Sequence, residues 1–198
     1  MDQIWMRIKG IAEESNGFIK TARVEELGIS RPMIKKYVDL GKLEAVCKGI
    51  YILSGEMPDE YALLQARCKK AVFSYGTALF LWGLSDRTPH IYDFTVPRGT
   101  NITLLKRDNE NLRCHYVQAD FYDLGITKVT SPQGATVKVY DKERCICDLI
   151  RDKDQIDMQI FTQALKDYFK SKPNNRKLLK YGKTFGIEDK IRTYMEVL

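Results

Sequence analysis

Arg31, Lys35 and Lys36 are the side chains whose type and spacing most plainly suit chemistry, and that chemistry is recognition of a polyanion. Arg31 and Lys35 lie four residues apart, so on a helix both cations project the same way. A guanidinium can donate two parallel bonds to a guanine edge, and ammonium groups neutralise phosphates. Lys48, in Cys47-Lys48-Gly49, would stand at the tip of a hairpin within reach of a neighbouring phosphate. Arg23 on the preceding segment is a backbone contact in the same reading. Ser30 is the residue whose hydroxyl would cap the helix carrying Arg31. The candidate DNA-binding set is therefore Arg23, Ser30, Arg31, Lys35, Lys36 and Lys48.

A second cationic group lies near the end of the chain. Lys166, Lys170, Lys172, Arg176, Lys177, Lys180 and Lys183 fall within eighteen residues, opposed only by Asp167. Tyr168, Phe169 and Tyr181 are interleaved with them. A charge run of this kind is commonly a solvated helical face. Seven cations against one anion is more than solubility needs, so a DNA-backbone or partner-docking surface at Lys166, Lys170, Arg176, Lys177, Lys180 and Lys183 is the functional alternative.

Other chemistry has less to stand on. Only two histidines occur, His90 and His115, and no Cys/His pair has zinc-finger spacing. Cys145 and Cys147 sit two apart in a helical stretch, where they point roughly 200° from each other and cannot grip one ion. No metal and no cofactor is implied. Tyr75-Gly76-Thr77 followed by a strand bearing Asp93 has the outline of a nucleotidyltransferase frame. That chemistry needs two carboxylates on one strand face to hold its metals. The residue two beyond Asp93 is Thr95, so the chain reads as a non-enzyme. An active or degenerate nucleotidyltransferase-like protein with an N-terminal winged helix is the alternative.

The elements that would position the first set form a helix-turn-helix followed by a β-wing over residues 17–53. A short helix over 21–27 ends at Gly28, a residue suited to the left-handed conformation just past a helix. Pro32 fits the first turn of a second helix, where its missing N–H costs nothing. Ile34, Tyr37 and Val38 make its apolar stripe, Gly41 ends it, and strands over 43–46 and 50–53 follow, with Gly49 supplying the turn. A helix over 2–15 with Ile4, Ile8 and Ile11 inward would support the pair.

Residues 55–59, with Gly, Pro and acidic residues, read as a linker between a 1–54 winged-helix domain and a larger 60–198 α/β domain with a helical tail. The predicted class is α+β. In the second domain, Asp59 caps a helix over 60–70, residues 71–75 form a strand, and 77–84 form a helix apolar all round. Residues 91–97 alternate as a half-buried strand, with further strands at 112–118, 126–130 and 135–140. Asp141 caps a helix to 151, and helices over 155–170, 175–185 and 187–198 complete the chain.

Charge is unevenly spread. Nine Lys/Arg face seven Asp/Glu in residues 1–54, fourteen face fourteen in 55–154, and nine face five in 155–198, which sums to the net +6. The two basic ends favour a polyanionic partner. Five cysteines without a paired framework suit a reducing, cytoplasmic setting. The start of the chain does not read as a signal peptide, and the longest apolar run, 71–84, is too short and too interrupted to cross a bilayer.

Taken in order, several segments resemble the AbiEi family of antitoxins from bacterial type IV toxin–antitoxin, or abortive infection, systems. They are Gly28-Ile29-Ser30-Arg31-Pro32, Gly41-Lys42-Leu43 and Lys48-Gly49-Ile50-Tyr51 near the start. The centre adds Ser74 to Leu79, Gly83-Leu84 and Thr95 to Gly99, and then Val139 to Arg144 with Asp148-Leu149. Cys145 departs from the family pattern, where threonine is common. The resemblance spans nearly the whole chain through the order of motifs rather than any single one. It implies a transcriptional autorepressor binding its own operon's operator on double-stranded DNA. Helix-turn-helix proteins often pair on inverted repeats, so an operator of inverted repeats is expected, with dimerisation there left open. It also implies a counterpart toxin of nucleotidyltransferase type, encoded alongside and held in no stable complex.

Overall fold

The computed structural model describes residues 3–198, so Asp2 of the expected first helix lies outside the described residues. Three helices and a small sheet come first: α1 (Gln3–Glu14), β1 (Ile19–Lys20), α2 (Thr21–Glu26), α3 (Arg31–Asp39), β2 (Leu43–Cys47) and β3 (Ile50–Leu53). Glycine sets the stops. Gly28, Gly41 and Gly49 all take positive φ, at 73°, 66° and 78°, which a residue with a Cβ adopts only under strain. The sheet runs β1-β3-β2, antiparallel throughout, with a register shift between Ala45 and Cys47. β1 was not expected. It is two residues long and exists by pairing Ile19 with Tyr51 and Lys20 with Ile50, a non-local contact with no local pattern.

Successive residues of a strand face opposite ways, and β3 uses both faces. Tyr51 and Leu53 pack on a small core of Ile8, Ile11, Val24, Ile34, Tyr37 and Leu43 under α1 to α3. Ile50 and Ile52, with Phe18, enter the larger core of the C-terminal half. Lys20 Nζ donates to the Ala66 carbonyl at 2.6 Å, and Asn16 bonds Thr136 through both its amide nitrogen and oxygen. The first 54 residues are thus anchored on the rest by apolar burial and by backbone-directed hydrogen bonds.

The remainder is built on a five-stranded mixed sheet in the order β6-β5-β4-β8-β7. Its elements are α4 (Glu60–Arg67), β4 (Val72–Phe73), α5 (Tyr75–Leu81), β5 (Tyr92–Pro97), α6 (Thr103–Arg107), β6 (Leu112–Val117), α7 (Ala119–Tyr122), β7 (Ile126–Thr130), β8 (Thr136–Tyr140), α8 (Lys142–Arg151), α9 (Met158–Lys170), α10 (Asn175–Phe185) and α11 (Glu188–Val197). β5 pairs antiparallel with β4 and parallel with β6, while β8 pairs parallel with β4 and antiparallel with β7. α8 lies at the centre of the helical layer, with every residue from Arg144 to Ile150 buried. Gly182 lets α10 and α11 approach: a Cβ there would fall 2.4 Å from Ile191 Cδ1. Among the described residues no helix is long and apolar enough to cross a membrane.

Several local expectations are corrected. β5 is not half-buried: Asp93, Phe94, Thr95 and Val96 are all buried, because neighbouring strands and covering helices enclose both faces. The helix expected over 77–84 begins at Tyr75 and leaves Phe80 partly exposed, so it is not buried all round. The helix expected from 155 begins at Met158 after a short 3-10 turn, with Asp157 accepting from the amides of Gln159 and Ile160. α6 and α7, of five and four residues, were not expected. Asp59 and Asp141 cap as expected, accepting from Ala62 N at 2.9 Å and Arg144 N at 2.8 Å.

Candidate nucleic-acid interface

α3 buries Ile34 and Tyr37 and turns its polar face outward. The Trp5 ring backs Tyr37, with centroids 5.1 Å apart, and Lys42 Nζ lies 5.1 Å from the Trp5 centroid, a cation–π contact at the foot of the helix. On the outer face Arg31, Lys35 and Lys36 are exposed, and Lys48 is exposed at the hairpin tip. Among the described residues Lys35, Lys36 and Lys48 form no ion pair, so their charge is directed at solvent.

Arg31 is exposed but engaged. Its Nε donates to Glu25 Oε1 at 2.6 Å and its Nη2 to Glu25 Oε2 at 3.3 Å. The bonded guanidinium holds the Glu25 carboxyl below the usual carboxylate range. The fork that would meet a base edge is therefore held by a carboxylate from α2, in a pair open to solvent and readily exchanged. Arg23 is similarly paired, 3.0 Å from Glu26 and 3.9 Å from Glu14. Ser30 corrects the expectation of a hydroxyl cap. It occupies the N-cap position with extended backbone, but its side chain makes no capping bond, and only its carbonyl engages the first turn, through Met33 N and Ile34 N.

Between this face and the C-terminal half runs a cleft of about 760 Å³. Arg31, Lys48 and Lys20 line one side and Arg67, Leu104 and Arg107 the other. None of the expected basic-tail residues lines it. Those residues are divided among themselves. Lys166, Lys170, Arg176, Lys180 and Lys183 are exposed on α9 and α10. Lys177 is not free: its Nζ lies 2.8 Å from Asp141 Oδ2 and 3.3 Å from Glu143 Oε2. Burial alone would lower the Lys177 pKa, but the Asp141 bond outweighs it and raises the ammonium well above its ordinary range. Lys177 is tied into the fold by the same two acids that open α8, so it leaves the candidate surface.

A second polar cluster joins Tyr75, Asp93 and Thr95, named above for the nucleotidyltransferase outline, to His115, Arg151 and Asp152, which stood in no candidate set. Asp93 Oδ1 bonds His115 Nε2 at 2.9 Å and lies 3.7 Å from Arg113. The Thr95 hydroxyl donates to Ser74 Oγ at 2.9 Å. Tyr75 has φ +44°, outside the ordinary range for a side-chain-bearing residue, and its ring stacks on His115 with centroids 4.1 Å apart. The Tyr75 hydroxyl donates to Asp152 and accepts from Arg151 Nη2 at 2.9 Å. Arg151 and Arg144 then flank the buried Asp148, at 3.0 and 2.9 Å. Burial pushes the Asp148 carboxyl up against the pull of the two arginines. The signal was present in part: Arg144, Asp148 and Arg151 are spaced four and three along α8, and Asp152 follows directly at its C-cap. Cys145 and Cys147 are buried in the same helix, and burial pushes the Cys147 thiol up to about 12.

The fold defines a mixed α/β protein with two sheets and an exposed cationic helix–hairpin face. No family model and no curated protein matches the chain. The fold is similar to the crystal structure of the RV2827C protein from Mycobacterium tuberculosis, with a TM-score of 0.59 and 15% identity, covering 89% of this chain and 69% of that one. At that identity the likeness speaks to fold alone.

Proposed function

We propose that the protein is a DNA-binding transcriptional autorepressor whose first 54 residues act as a winged helix. The observation that carries this reading is the exposed face of α3, with Arg31, Lys35 and Lys36 outward and Lys48 beside it on the hairpin. An apolar stripe seats the helix and a cationic face meets the duplex, the arrangement by which recognition helices enter a major groove. Arg31 reads a guanine by exchanging the Glu25 carboxylate for O6 and N7, while Lys36 and Lys48 neutralise phosphates. With a labelled duplex of the protein's own promoter, Arg31→Ala weakens binding about five- to 150-fold and relaxes preference at one base pair. Lys48→Ala weakens all duplexes alike and flattens the salt dependence. Unchanged affinity in both variants removes the assignment.

The antitoxin half of the proposal is supported by the order of motifs resembling AbiEi antitoxins. The protein then counteracts a co-encoded nucleotidyltransferase-like toxin with no stable complex between them. Growth arrest by the neighbouring gene, relieved by expressing this chain without co-purification of the two, is the expected result. Arrest that persists defeats it.

A second reading, a nucleotidyltransferase-like protein, has one observation in its favour. A Cβ on Gly76 would lie 3.3 Å from Asp93 Oδ2, so the turn before α5 closes directly over the carboxylate of β5. Among the described residues no second carboxylate stands beside Asp93; its neighbours are the Arg113 guanidinium and the His115 imidazole, with Thr95 two residues on. That set fits a carboxylate neutralised by side chains better than one sharing metal ions. Transfer of label from nucleoside triphosphates in the presence of Mg²⁺, lost in Asp93→Asn, would favour this reading over the first.

A further inference from the structure

We propose that the C-terminal half extends the DNA interface: Arg107, on α6, contacts the phosphate backbone of the same duplex that α3 reads. This rests on the DNA-binding reading above. The cleft beside α3 is lined by five cations, Lys20, Arg31, Lys48, Arg67 and Arg107, against two anions, Glu25 and Asp108, an excess of three positive charges. The partners of each cation separate structural from available charge. Lys20 donates to the Ala66 carbonyl, and Arg67, only 15% exposed, is bound to Asp108 at 2.6 Å. Arg31 and Arg107 are 73% and 70% exposed, and Lys48 is exposed at the hairpin tip.

Arg107 is also aimed. Its Nε donates to Asp108 Oδ1 at 3.1 Å, while among the described residues its terminal nitrogens bond nothing. Asp108 is shared between Arg67 and Arg107, so one carboxylate faces two guanidinium groups and one positive charge stays uncompensated. A cleft of about 760 Å³ is far too small to admit a duplex. What reaches its rim is a single sugar–phosphate strand flanking the groove that α3 occupies, and guanidinium groups suit phosphate oxygens.

The spacing between the two walls is fixed by packing. Ile50 and Ile52 of the hairpin are buried in the C-terminal core, so Arg107 and Lys48 cannot drift apart without opening that core. The chain thus presents phosphate-binding cations on both sides of one cleft, one from each half of the molecule.

The test is fluorescence anisotropy of the full chain on its own promoter duplex and on an unrelated duplex of equal length, from about 50 to 200 mM salt. Arg107→Ala is expected to weaken both duplexes alike and leave their ratio unchanged. The slope of log affinity against log salt becomes shallower by about one, so the loss between those two salt concentrations shrinks about fourfold. Arg107→Lys, which keeps the charge, retains the slope. Unchanged affinity and slope in Arg107→Ala, or a loss confined to the promoter duplex, overturns the proposal while leaving the α3 reading standing. Wild-type protein that binds neither duplex overturns both.

Discussion

Arg31 and Arg144 make nearly the same bond and do different work. Arg31 Nε meets Glu25 at 2.6 Å on the open face of α3, and Arg144 Nε meets Asp148 at 2.9 Å inside α8. The first side chain is 73% exposed and the second 1%. Arg144 also donates to the carbonyls of Phe121 and Leu124 and lies over the rings of Tyr140 and Phe185. Its Nε and Nη1 donors are thus all met by the fold. The comparison teaches that the partner does not distinguish a structural arginine from an available one. Solvent does: water screens and competes for the exposed pair, and nothing replaces a lost partner in the buried one.

The largest effect should come from Arg144→Ala, which leaves the buried Asp148 with Arg151 as its remaining ion-pair partner. A loss of about 3–5 kcal/mol in denaturant unfolding is the expected outcome, and a loss under about 1 kcal/mol would break the comparison. Gly125→Ala attacks the same network through the backbone. Gly125 has φ +86°, and a Cβ there would fall 2.9 Å from Arg144 Cβ and 3.1 Å from Asp141 Oδ2. Strain and overpacking together are expected to remove about 2–3 kcal/mol, read from the same unfolding curves.

A pH experiment sharpens the contrast. Burial alone would raise the Asp152 carboxyl, but hydrogen bonds from Arg151 and Tyr75 outweigh it and hold it below its ordinary range. A depressed folded-state pKa means that Asp152 stabilises the fold fully above its unfolded value. That contribution is lost as pH falls through the folded one. In Asp152→Asn the decline in melting temperature between about pH 5 and pH 3 should be shallower than in the parent chain. A steeper acid decline would contradict the assignment. At the other extreme, Arg31→Ala should leave the melting temperature within about 2 °C, since nothing buried depends on it.

How much of this was legible in the sequence follows from the range of each contact. α3 and the hairpin were readable because Gly28, Pro32, Gly41 and Gly49 punctuate them locally. The outward cations followed from the position of the Ile34 and Tyr37 stripe. β1 was not readable, since its existence depends on β3 some thirty residues away. Alternation in β5 misled because it marks one covered face, and here both are covered. The cluster of Tyr75, Asp93, His115, Arg151 and Asp152 joins four elements: Tyr75 and Asp93 stood together in the nucleotidyltransferase outline, but nothing local tied them to His115 or to the end of α8. Lys177 belonged by composition to a basic run, and by geometry to the acids at the start of α8. The shared cleft was likewise out of reach, because the stretch over 98–109 carried no legible helix and Arg107 stood in no candidate set.

The central claim is that the α3 and hairpin cations serve a duplex and not the fold. The most direct measurement compares the full chain with the variant Arg31→Ala/Lys35→Ala/Lys48→Ala, by anisotropy on the promoter duplex at about 50 mM salt and by thermal melting of the same samples. The account predicts that promoter binding collapses while the melting temperature stays within a few degrees. Retained binding, or a melting temperature that falls in step with affinity, would contradict it.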